Sequence, residues 1–492
     1  MLKKIRICFA AVFFVGITLL LLGIGAGWWG WMAQLQFLPA ALALNIGVVL
    51  GILLLTFVFG RFYCSVICPM GVFQDIIIWL RTHIGPKKSR AKRAHRFQYR
   101  KELKWVRYPI LAVVILCIIL GIQFVVALLA PYSAYGRIIH AIADPQRGIL
   151  VVAAVTLVAI VALAWWGGRW YCNSICPVGT TLSLVSRFSL MKPRIDADKC
   201  KNCHMCEKGC KSQCIDISTK SIDYSRCVDC FDCVDACKFG ALQFRAAGPA
   251  PGQQTAEPEG RSAGAPKAEK SKAAGEASGA DRADAGRRAF VAGAAIAAGA
   301  ATLKAQEIKL DGGLAPIIPK RAPERTERLV PFGAQGLKHF YSHCTACQLC
   351  VGNCPNHVLR PSTDLEHLMQ PEMSYERGYC RPECTACSQV CPAGAILPIT
   401  PEEKTQIHIG HATVDYDLCV VNRDDVNCGN CARHCPAGAI LMVRKDPSDR
   451  TSRLIPTVHE DLCIGCGACE NLCPSRPVSA IRVNGLRTHI NS

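Results

Sequence analysis

The chain has 492 residues, of which 31 are cysteine, and a formal net charge of +19. The length exceeds that of one ordinary domain. Hydrophobic residues make up 51% of the chain and charged residues 19%. This composition excludes an ordinary soluble protein, in which about a quarter of the residues are charged. The basic charge does not indicate nucleic acid, because much of it lies in one short loop beside apolar segments, as at a membrane surface.

Four long apolar stretches open the chain, and each is about long enough to cross a bilayer core of about 30 Å as a helix. Eleven Lys and Arg residues crowd the loop 81–108, and residues 1–6 carry three more. The two remaining loops carry only Arg137 and Arg147. The positive-inside bias therefore predicts that the N-terminus and the loop 81–108 lie in the cytoplasm. The four stretches are 5–27, 40–60, 109–130 and 149–166, and the two poorly charged loops are 28–39 and 131–148.

An internal repeat follows the second apolar stretch of each pair and ends in the motif C-x3-C-P. It predicts two similar two-helix halves that both end on the cytoplasmic side. The cysteines of each copy lie one helical turn apart, and the two-fold arrangement is expected to bring both pairs together at the membrane edge. Three roles stay open: ligands of a metal or a seventh cluster, redox-active dithiols, or structural residues. The copies run from Gly60 through Cys64 and Cys68 to Pro69, and from Gly168 through Cys172 and Cys176 to Pro177.

Residues 191–245 form a compact unit with two quartets in the rhythm C-x2-C-x2-C-x3-C, the spacing of bacterial [4Fe–4S] ferredoxins. In two-cluster ferredoxins the fourth cysteine of each run binds the other cluster, so Cys237 is expected to join the first triplet and Cys210 the second. Cys214 is either an alternative to Cys210 or a small buried side chain. Cys200 opens a C-x-x-C-H motif typical of haem c attachment, but the ferredoxin run around it favours a cluster. The quartets are Cys200, Cys203, Cys206 and Cys210, and Cys227, Cys230, Cys233 and Cys237.

Residues 246–286 are rich in Ala, Gly, Pro, Ser, Lys and Glu and are predicted to be a disordered linker. The pair Arg287 and Arg288 then precedes an apolar run rich in Ala and Gly, which is typical of a Tat-type export signal. The alternative is a chance pair before an alanine-rich helix. We expect residues 287–306 to be either a signal cut near Ala305 or a fifth, short membrane helix. In both cases residues 307–492 lie outside the membrane.

Four further quartets lie in residues 307–492, and each fourth cysteine is followed by a proline that ends the ligand loop. The first and last quartets have the regular ferredoxin spacing, while the middle two have a longer first gap. We expect the middle motifs to pair with each other and the outer two likewise; a zinc-binding array is the alternative. The quartets are Cys344, Cys347, Cys350 and Cys354; Cys380, Cys384, Cys387 and Cys391; Cys419, Cys428, Cys431 and Cys435; and Cys463, Cys466, Cys469 and Cys473.

A quinol site needs a polar group that takes up protons within an apolar cleft. His140 and Asp144, in the loop between the third and fourth apolar stretches, are candidates on the outer side of the membrane. The alternative is that both belong to an ordinary solvated loop. Cys8 and Cys117, inside the apolar stretches, are expected to be packing residues.

The apolar stretches, the two C-x3-C-P motifs and the two-quartet tail of residues 1–245 resemble the NapH/MauN-type membrane ferredoxins. Residues 287–492, with twin arginines and four quartets, resemble the NapG/MauM-type exported ferredoxins, so the chain is similar to both partners fused. Lys211 and Lys238 depart from the simplest ferredoxin pattern, which has proline there. The resemblance implies a quinol dehydrogenase module that passes electrons from menaquinol or another quinol to a periplasmic reductase or cytochrome.

The expected fold is an α-helical membrane domain, residues 1–190, with four transmembrane helices in two repeats, plus α+β bacterial ferredoxin-like domains. About six [4Fe–4S] clusters are expected, in the inner membrane of a bacterium, with residues 191–245 cytoplasmic and residues 307–492 periplasmic. Two rival functions remain. One is a redox assembly factor for a metalloenzyme, and the other is a relay from a cytoplasmic ferredoxin to an outer reductase without quinone chemistry.

Overall fold

The computed structural model describes residues 2–84, 97–120, 122–143, 147–246, 318–364 and 366–491. Residues 85–96 of the basic loop, Asp144, the predicted linker after residue 246 and the twin arginines therefore lie outside the described residues. The described residues of 1–251 and of 320–492 belong to one compact unit. Within it we distinguish a helical region (2–186), a first ferredoxin region (191–246) and a second ferredoxin region (320–491).

The helical region begins with long apolar helices and turns twice at the C-x3-C-P motifs. At each turn a five-residue helix ends before the second cysteine, and the proline after that cysteine is the first residue of the next helix, where its missing N–H costs nothing. The helices are α1 (Leu2–Leu21), α2 (Ala26–Gln34), α3 (Phe37–Leu42), α4 (Ile46–Phe59), α5 (Phe62–Val66), α6 (Pro69–His83), α7 (Lys104–Leu120), α8 (Gln123–Leu129), α9 (Pro131–Ala143), α10 (Arg147–Gly167), α11 (Trp170–Ser174) and α12 (Pro177–Ser186).

The described helices differ from the four predicted spans. Only α1 and the part of α10 from Leu150 to Gly167 are long and apolar enough to cross a membrane, and α8 with α9, bent by 77°, add a third if they count as one broken span. The second stretch is shortened because Asn45 caps the start of α4, and the third is divided between α7 and α8. The predicted loops 28–39 and 131–148 contain helices α2, α3 and α9.

The two ferredoxin regions consist of short helices beside five antiparallel strand pairs. The pairs are β1 with β4, β2 with β3, β5 with β6, β7 with β10, and β8 with β9. The first region contains β1 (Met191–Ile195), α13 (Met205–Lys208), β2 (Ile215–Asp216), β3 (Ser221–Ile222), α14 (Asp232–Ala236) and β4 (Leu242–Ala246). The second contains α15 (Leu337–His343), α16 (Leu349–Gly352), β5 (Leu359–Pro361), β6 (Pro371–Met373), α17 (Ala386–Val390), α18 (Pro401–Gln406), β7 (Ile407–Val414), α19 (Val420–Arg423), α20 (Asn430–Arg433), β8 (Ile440–Arg444), β9 (Leu454–Val458), a 3₁₀ turn (Glu460–Leu462), α21 (Ala468–Leu472) and β10 (Ile481–Asn491).

The two ferredoxin regions contact opposite ends of α1. Near its start, Lys3 forms an ion pair of 3.2 Å with Asp232 of the first region, and Arg6 Nη1 donates a hydrogen bond of 3.3 Å to the Cys230 carbonyl oxygen. Near its end, the Asn353 side-chain amide of the second region donates a hydrogen bond of 3.0 Å to the Leu20 carbonyl oxygen. Helix α1 therefore separates the two regions along its length.

The second ferredoxin region also packs tightly against α9. A Cβ atom added at Gly136 would lie only 2.1 Å from the Cys347 carbonyl oxygen, whereas one at Gly51 in α4 would meet no atom within 4 Å. We expect Gly136→Ala to destabilise this contact by about 1–3 kcal/mol, because an inserted methyl group must push the two elements apart. Faster hydrogen exchange around Cys347 would show the loss, and Gly51→Ala is the matched control. Unchanged exchange in Gly136→Ala would contradict the observed packing.

Candidate iron–sulfur sites

The first ferredoxin region encloses a cavity surrounded by cysteine side chains. Its lining includes the triplet Cys227, Cys230 and Cys233 together with Cys210, the set that fourth-cysteine exchange predicts for one cluster. Cys214 also lines the cavity, and its sulfur lies 3.5 Å from that of Cys210. Both alternatives for the fourth ligand thus reach the same space. The four thiolates that a [4Fe–4S] cluster requires are available here.

The ligand loops share a backbone conformation that the sequence did not reveal. In each of the four regular motifs, the residues just before and just after the second cysteine have positive φ. Such left-handed residues turn successive backbone N–H groups inward and form a concavity that suits an anion, including an iron–sulfur cluster. The pairs are Asn202 and His204, Asp229 and Phe231, Ala346 and Gln348, and Gly465 and Gly467.

The second ferredoxin region contains a similar cavity that joins two neighbouring motifs. Cys391 lines it with the first triplet, Cys344, Cys347 and Cys350. Conversely, Cys354 interacts electrostatically with Cys387, the third cysteine of the second motif. The first two motifs therefore exchange their fourth cysteines with each other.

The last two motifs are paired in the same way. Cys435 interacts electrostatically with Cys463, Cys466 and Cys469, and Cys473 interacts with Cys431. The expectation that the middle motifs pair with each other, and the outer two likewise, was wrong. Neighbouring motifs pair instead, because the short helices of the first two motifs, α16 and α17, pack together, as do those of the last two, α20 and α21.

The raised pKa values of buried cysteines indicate that these sites need a positive charge to stabilise thiolates. Burial raises the pKa of Cys206 to about 11 and that of Cys466 to about 12, so at neutral pH both would remain thiols without a nearby positive charge. Iron supplies that charge and stabilises the thiolates. Among the described residues, no three His, Cys, Asp or Glu side chains converge on a point suited to a single metal ion. Four cysteines around one cavity are the ligand set of a [4Fe–4S] cluster.

The four cysteines of the repeat form one buried group. Cys68 and Cys176 each interact electrostatically with both Cys64 and Cys172, and all four are at most 5% exposed. The structure thus brings together the residues that the two-fold arrangement predicted. We call Cys64, Cys68, Cys172 and Cys176 the four-cysteine site.

Each half of the repeat holds the other half in place through an arginine. Arg61 Nη2 donates a hydrogen bond of 3.1 Å to the Cys172 carbonyl oxygen, and Arg169 Nη1 donates one of 2.8 Å to the Cys64 carbonyl oxygen. The repeat also continues beyond the motif to Gly71 and Gly179. A Cβ atom at either glycine would lie about 2.1–2.2 Å from the first cysteine's carbonyl oxygen, so only glycine fits there.

The charges around the four-cysteine site favour a negative centre. Arg61 and Arg169 are both fully buried. Arg169 forms an ion pair of 2.8 Å with Asp75, whereas Arg61 bonds to neutral groups such as Asn173 and interacts electrostatically with Asp229 without a direct ion pair. Because a buried cation is costly unless negative charge lies nearby, thiolates at this site would further stabilise Arg61.

Of the two candidate residues for a quinol site, the structure describes only His140. His140 lies on α9 and is only 4% exposed, so it is not part of a solvated loop. Asp144 lies outside the described residues. The proposed pair therefore stays a prediction. Cys117 is buried, as expected of a packing residue, whereas Cys8 is exposed on α1.

Comparisons with known proteins assign the motifs to iron–sulfur families. Residues 41–87 and 149–196 each match the family of 4Fe-4S binding domains, and each match contains one C-x3-C-P motif. Residues 426–476 match the family of 4Fe-4S dicluster domains. The ferredoxin-type protein NapF of Escherichia coli is 28% identical over 183 residues, which cover 37% of this chain and all of NapF.

Two relatives belong to methylamine utilization. The ferredoxin-type protein MauN of Paracoccus denitrificans is 28% identical over 177 residues, covering 35% of this chain and 56% of MauN. The ferredoxin-type protein MauM of Methylobacillus flagellatus is 33% identical over 166 residues, covering 33% of this chain and 70% of MauM. The chain belongs to the ferredoxin-type protein family. This ferredoxin-type protein carries several iron–sulfur clusters and transfers electrons, and its apolar helices associate it with a membrane.

Proposed function

We propose that this ferredoxin-type protein takes electrons from quinol and passes them across the membrane to a periplasmic reductase or cytochrome. The observation that carries the proposal is the contact of the two ferredoxin regions with opposite ends of α1. The contacts at Arg6 and Leu20 are 14 residues apart, or about 21 Å at the rise of about 1.5 Å per helical residue. In this arrangement the first region faces the cytoplasm, as the basic N-terminus favours, and the second faces the periplasm.

The four-cysteine site supplies the step between the two regions. Arg61 joins it to the first region, because its Nη1 donates a hydrogen bond of 3.0 Å to the Ser225 carbonyl oxygen. Towards the second region, Tyr171 interacts electrostatically with Cys172 and donates a hydrogen bond of 2.8 Å to the Leu129 carbonyl oxygen. Tyr132, three residues further on, interacts with Cys347. A seventh cluster at the four-cysteine site would shorten a gap that is too long for one efficient tunnelling step.

The six quartets are proposed to hold six [4Fe–4S] clusters with exchanged fourth ligands. A bound cluster supplies a one-electron acceptor and donor. The chain holds these centres in buried cavities, which exclude water and keep the thiolates in place. Two chains that act as separate MauN-type and MauM-type proteins would, on this proposal, be joined here in one polypeptide.

Anaerobic titration of the intact, cluster-loaded protein tests the proposal. A menaquinol analogue is added, and cluster reduction is followed by absorbance and EPR, with dithionite giving the fully reduced reference. We expect quinol to reduce centres in both ferredoxin regions. Reduction by a low-potential ferredoxin but not by quinol would contradict the proposal and favour a relay fed from the cytoplasm.

A further inference from the structure

A cavity of about 480 Å³ lies between α1 and α6 and extends to the first ferredoxin region. This volume falls within the range of about 300–1,000 Å³ that is usual for small-molecule pockets. Ala11 and Phe14 of α1 and Val72 of α6 form apolar walls, and Lys3 and Asp75 lie among the charged residues of the lining. The cavity thus has an apolar part along the helices and a charged part near the start of α1.

The apolar part of the cavity opens towards the surroundings of the helices. Ile7 is 49% exposed, Val15 is 53% exposed and Trp79 is 55% exposed, and all three line the cavity. Because α1 is long and apolar enough to cross a membrane, exposed apolar side chains on it are those that lipid would cover. An apolar chain that lies in the bilayer can therefore enter the cavity from the side.

The charged part contains a buried hydrogen-bond donor that lacks a partner. Arg6 is 5% exposed and lines the cavity. Its Nη2 lies 2.7 Å from Asp75 and its Nη1 donates to the Cys230 carbonyl oxygen, but its Nε makes no hydrogen bond to any described residue. The guanidinium, held by Asp75 and Cys230, places a fixed positive charge at this end of the cavity, where it attracts a carbonyl or hydroxyl oxygen of a ligand.

The same arginine places the charged part beside a proposed cluster. Cys230 belongs to the triplet around the first cysteine-lined cavity, and Gly209 and Lys211, which flank Cys210, line the α1–α6 cavity too. His83, in the loop 81–108 that is predicted to be cytoplasmic, also lines the cavity and is exposed, so we expect the cavity to reach the aqueous phase there. A ligand head group bound at Arg6 would lie next to an electron acceptor and near a route for protons.

We propose that the α1–α6 cavity binds an isoprenoid quinol, with its ring at Arg6 and its tail between the two helices. This site rests on the proposed function and names where its substrate binds. Oxidation of one quinol breaks two O–H bonds, releases two protons to water at His83 and yields the quinone. The two electrons reduce two oxidised iron–sulfur centres by one electron each, so atoms and charges balance. The site replaces the pair His140 and Asp144 as the location of quinol oxidation.

Filling the cavity tests this assignment. Ala11 is an exposed residue in the cavity wall, so Ala11→Trp blocks the apolar part without disturbing the buried core. The matched control is Val12→Trp, at a residue that is 52% exposed on α1 and does not line the cavity. The intact, cluster-loaded protein is placed in neutral-lipid nanodiscs, and the binding of a fluorescent quinone analogue is measured at equilibrium together with quinol-driven cluster reduction.

We expect Ala11→Trp to weaken analogue binding roughly tenfold or more, which corresponds to about one decade in Kd, while Val12→Trp binds as the wild type does. Equal binding by Ala11→Trp and the wild type would overturn the site, even if quinol still reduces the clusters and the proposed function stands. Displacement of the analogue by an anionic phospholipid but not by menaquinone would also overturn it, because the cavity would then be a lipid site. Loss of binding in Ala11→Trp without any quinol-driven reduction of the wild type would support the site but contradict the proposed function.

Discussion

In the Cys64→Ser, Cys172→Ser double variant, quinol is expected to reduce the first ferredoxin region but not the second. Both residues belong to the buried four-cysteine site between the two regions. A serine hydroxyl does not ionise at neutral pH and is a poor substitute for a thiolate ligand. Freeze-quench EPR after quinol addition would show which centres are reduced, and a dithionite sample would count the clusters that each variant retains.

The chain offers two controls for this experiment. Cys8→Ser changes an exposed cysteine on α1, and Cys117→Ser changes a buried cysteine on α7 that lies outside the four-cysteine site. Both variants should reduce the second region at the wild-type rate. Equal reduction in the Cys64→Ser, Cys172→Ser double variant with a full set of clusters would show that electrons do not pass through the four-cysteine site.

Removal of iron is expected to unfold the ferredoxin regions and to leave the long helices intact. The helices around the ligand loops have only four or five residues each, far fewer than the roughly 12–15 that an isolated helix needs. Cluster ligation therefore supplies much of the free energy that folds these regions. Chelation with an oxidant, followed by limited proteolysis and circular dichroism, would measure the loss.

The long helices provide the internal control for iron removal. Helix α1 has 20 residues and α10 has 21, and their backbone hydrogen bonds do not depend on a cluster. We expect new protease cuts between residues 320 and 491 and between 191 and 246, with fragments of the helical region preserved. A protease-resistant second ferredoxin region without iron would contradict the role assigned to the clusters.

The sequence was most informative where short-range spacing determines the chemistry. The ferredoxin runs predicted the cysteine triplets around the cavities because their spacing acts over a few residues. The repeat predicted the four-cysteine site because two similar halves place equivalent cysteines together. The ferredoxin rule also predicted that Cys210 joins the second triplet as the fourth ligand of its cluster. Pairing among the four later motifs depends on how loops of different length pack, so Cys391 joined the first triplet against expectation.

The membrane spans and the structure around His140 are features that residue spacing did not predict correctly. The stretch 40–60 satisfied a length rule, but the Asn45 cap starts α4 late, and the supposed loop around His140 is a buried helix. The α1–α6 cavity joins Lys3, Asp75 and Asp232 from distant parts of the chain. No local pattern marks such a site, because it exists only after the helices pack.

Electron transfer across the membrane can be measured by the side on which electrons are delivered. The intact protein is reconstituted into liposomes, its orientation is established by labelling residues 320–491 with a membrane-impermeant reagent, and quinol is supplied within the bilayer. We predict that a membrane-impermeant electron acceptor is reduced only on the side that exposes the second ferredoxin region, and that the Cys64→Ser, Cys172→Ser variant does not reduce it. Acceptor reduction only on the side of the first ferredoxin region would contradict electron transfer across the membrane.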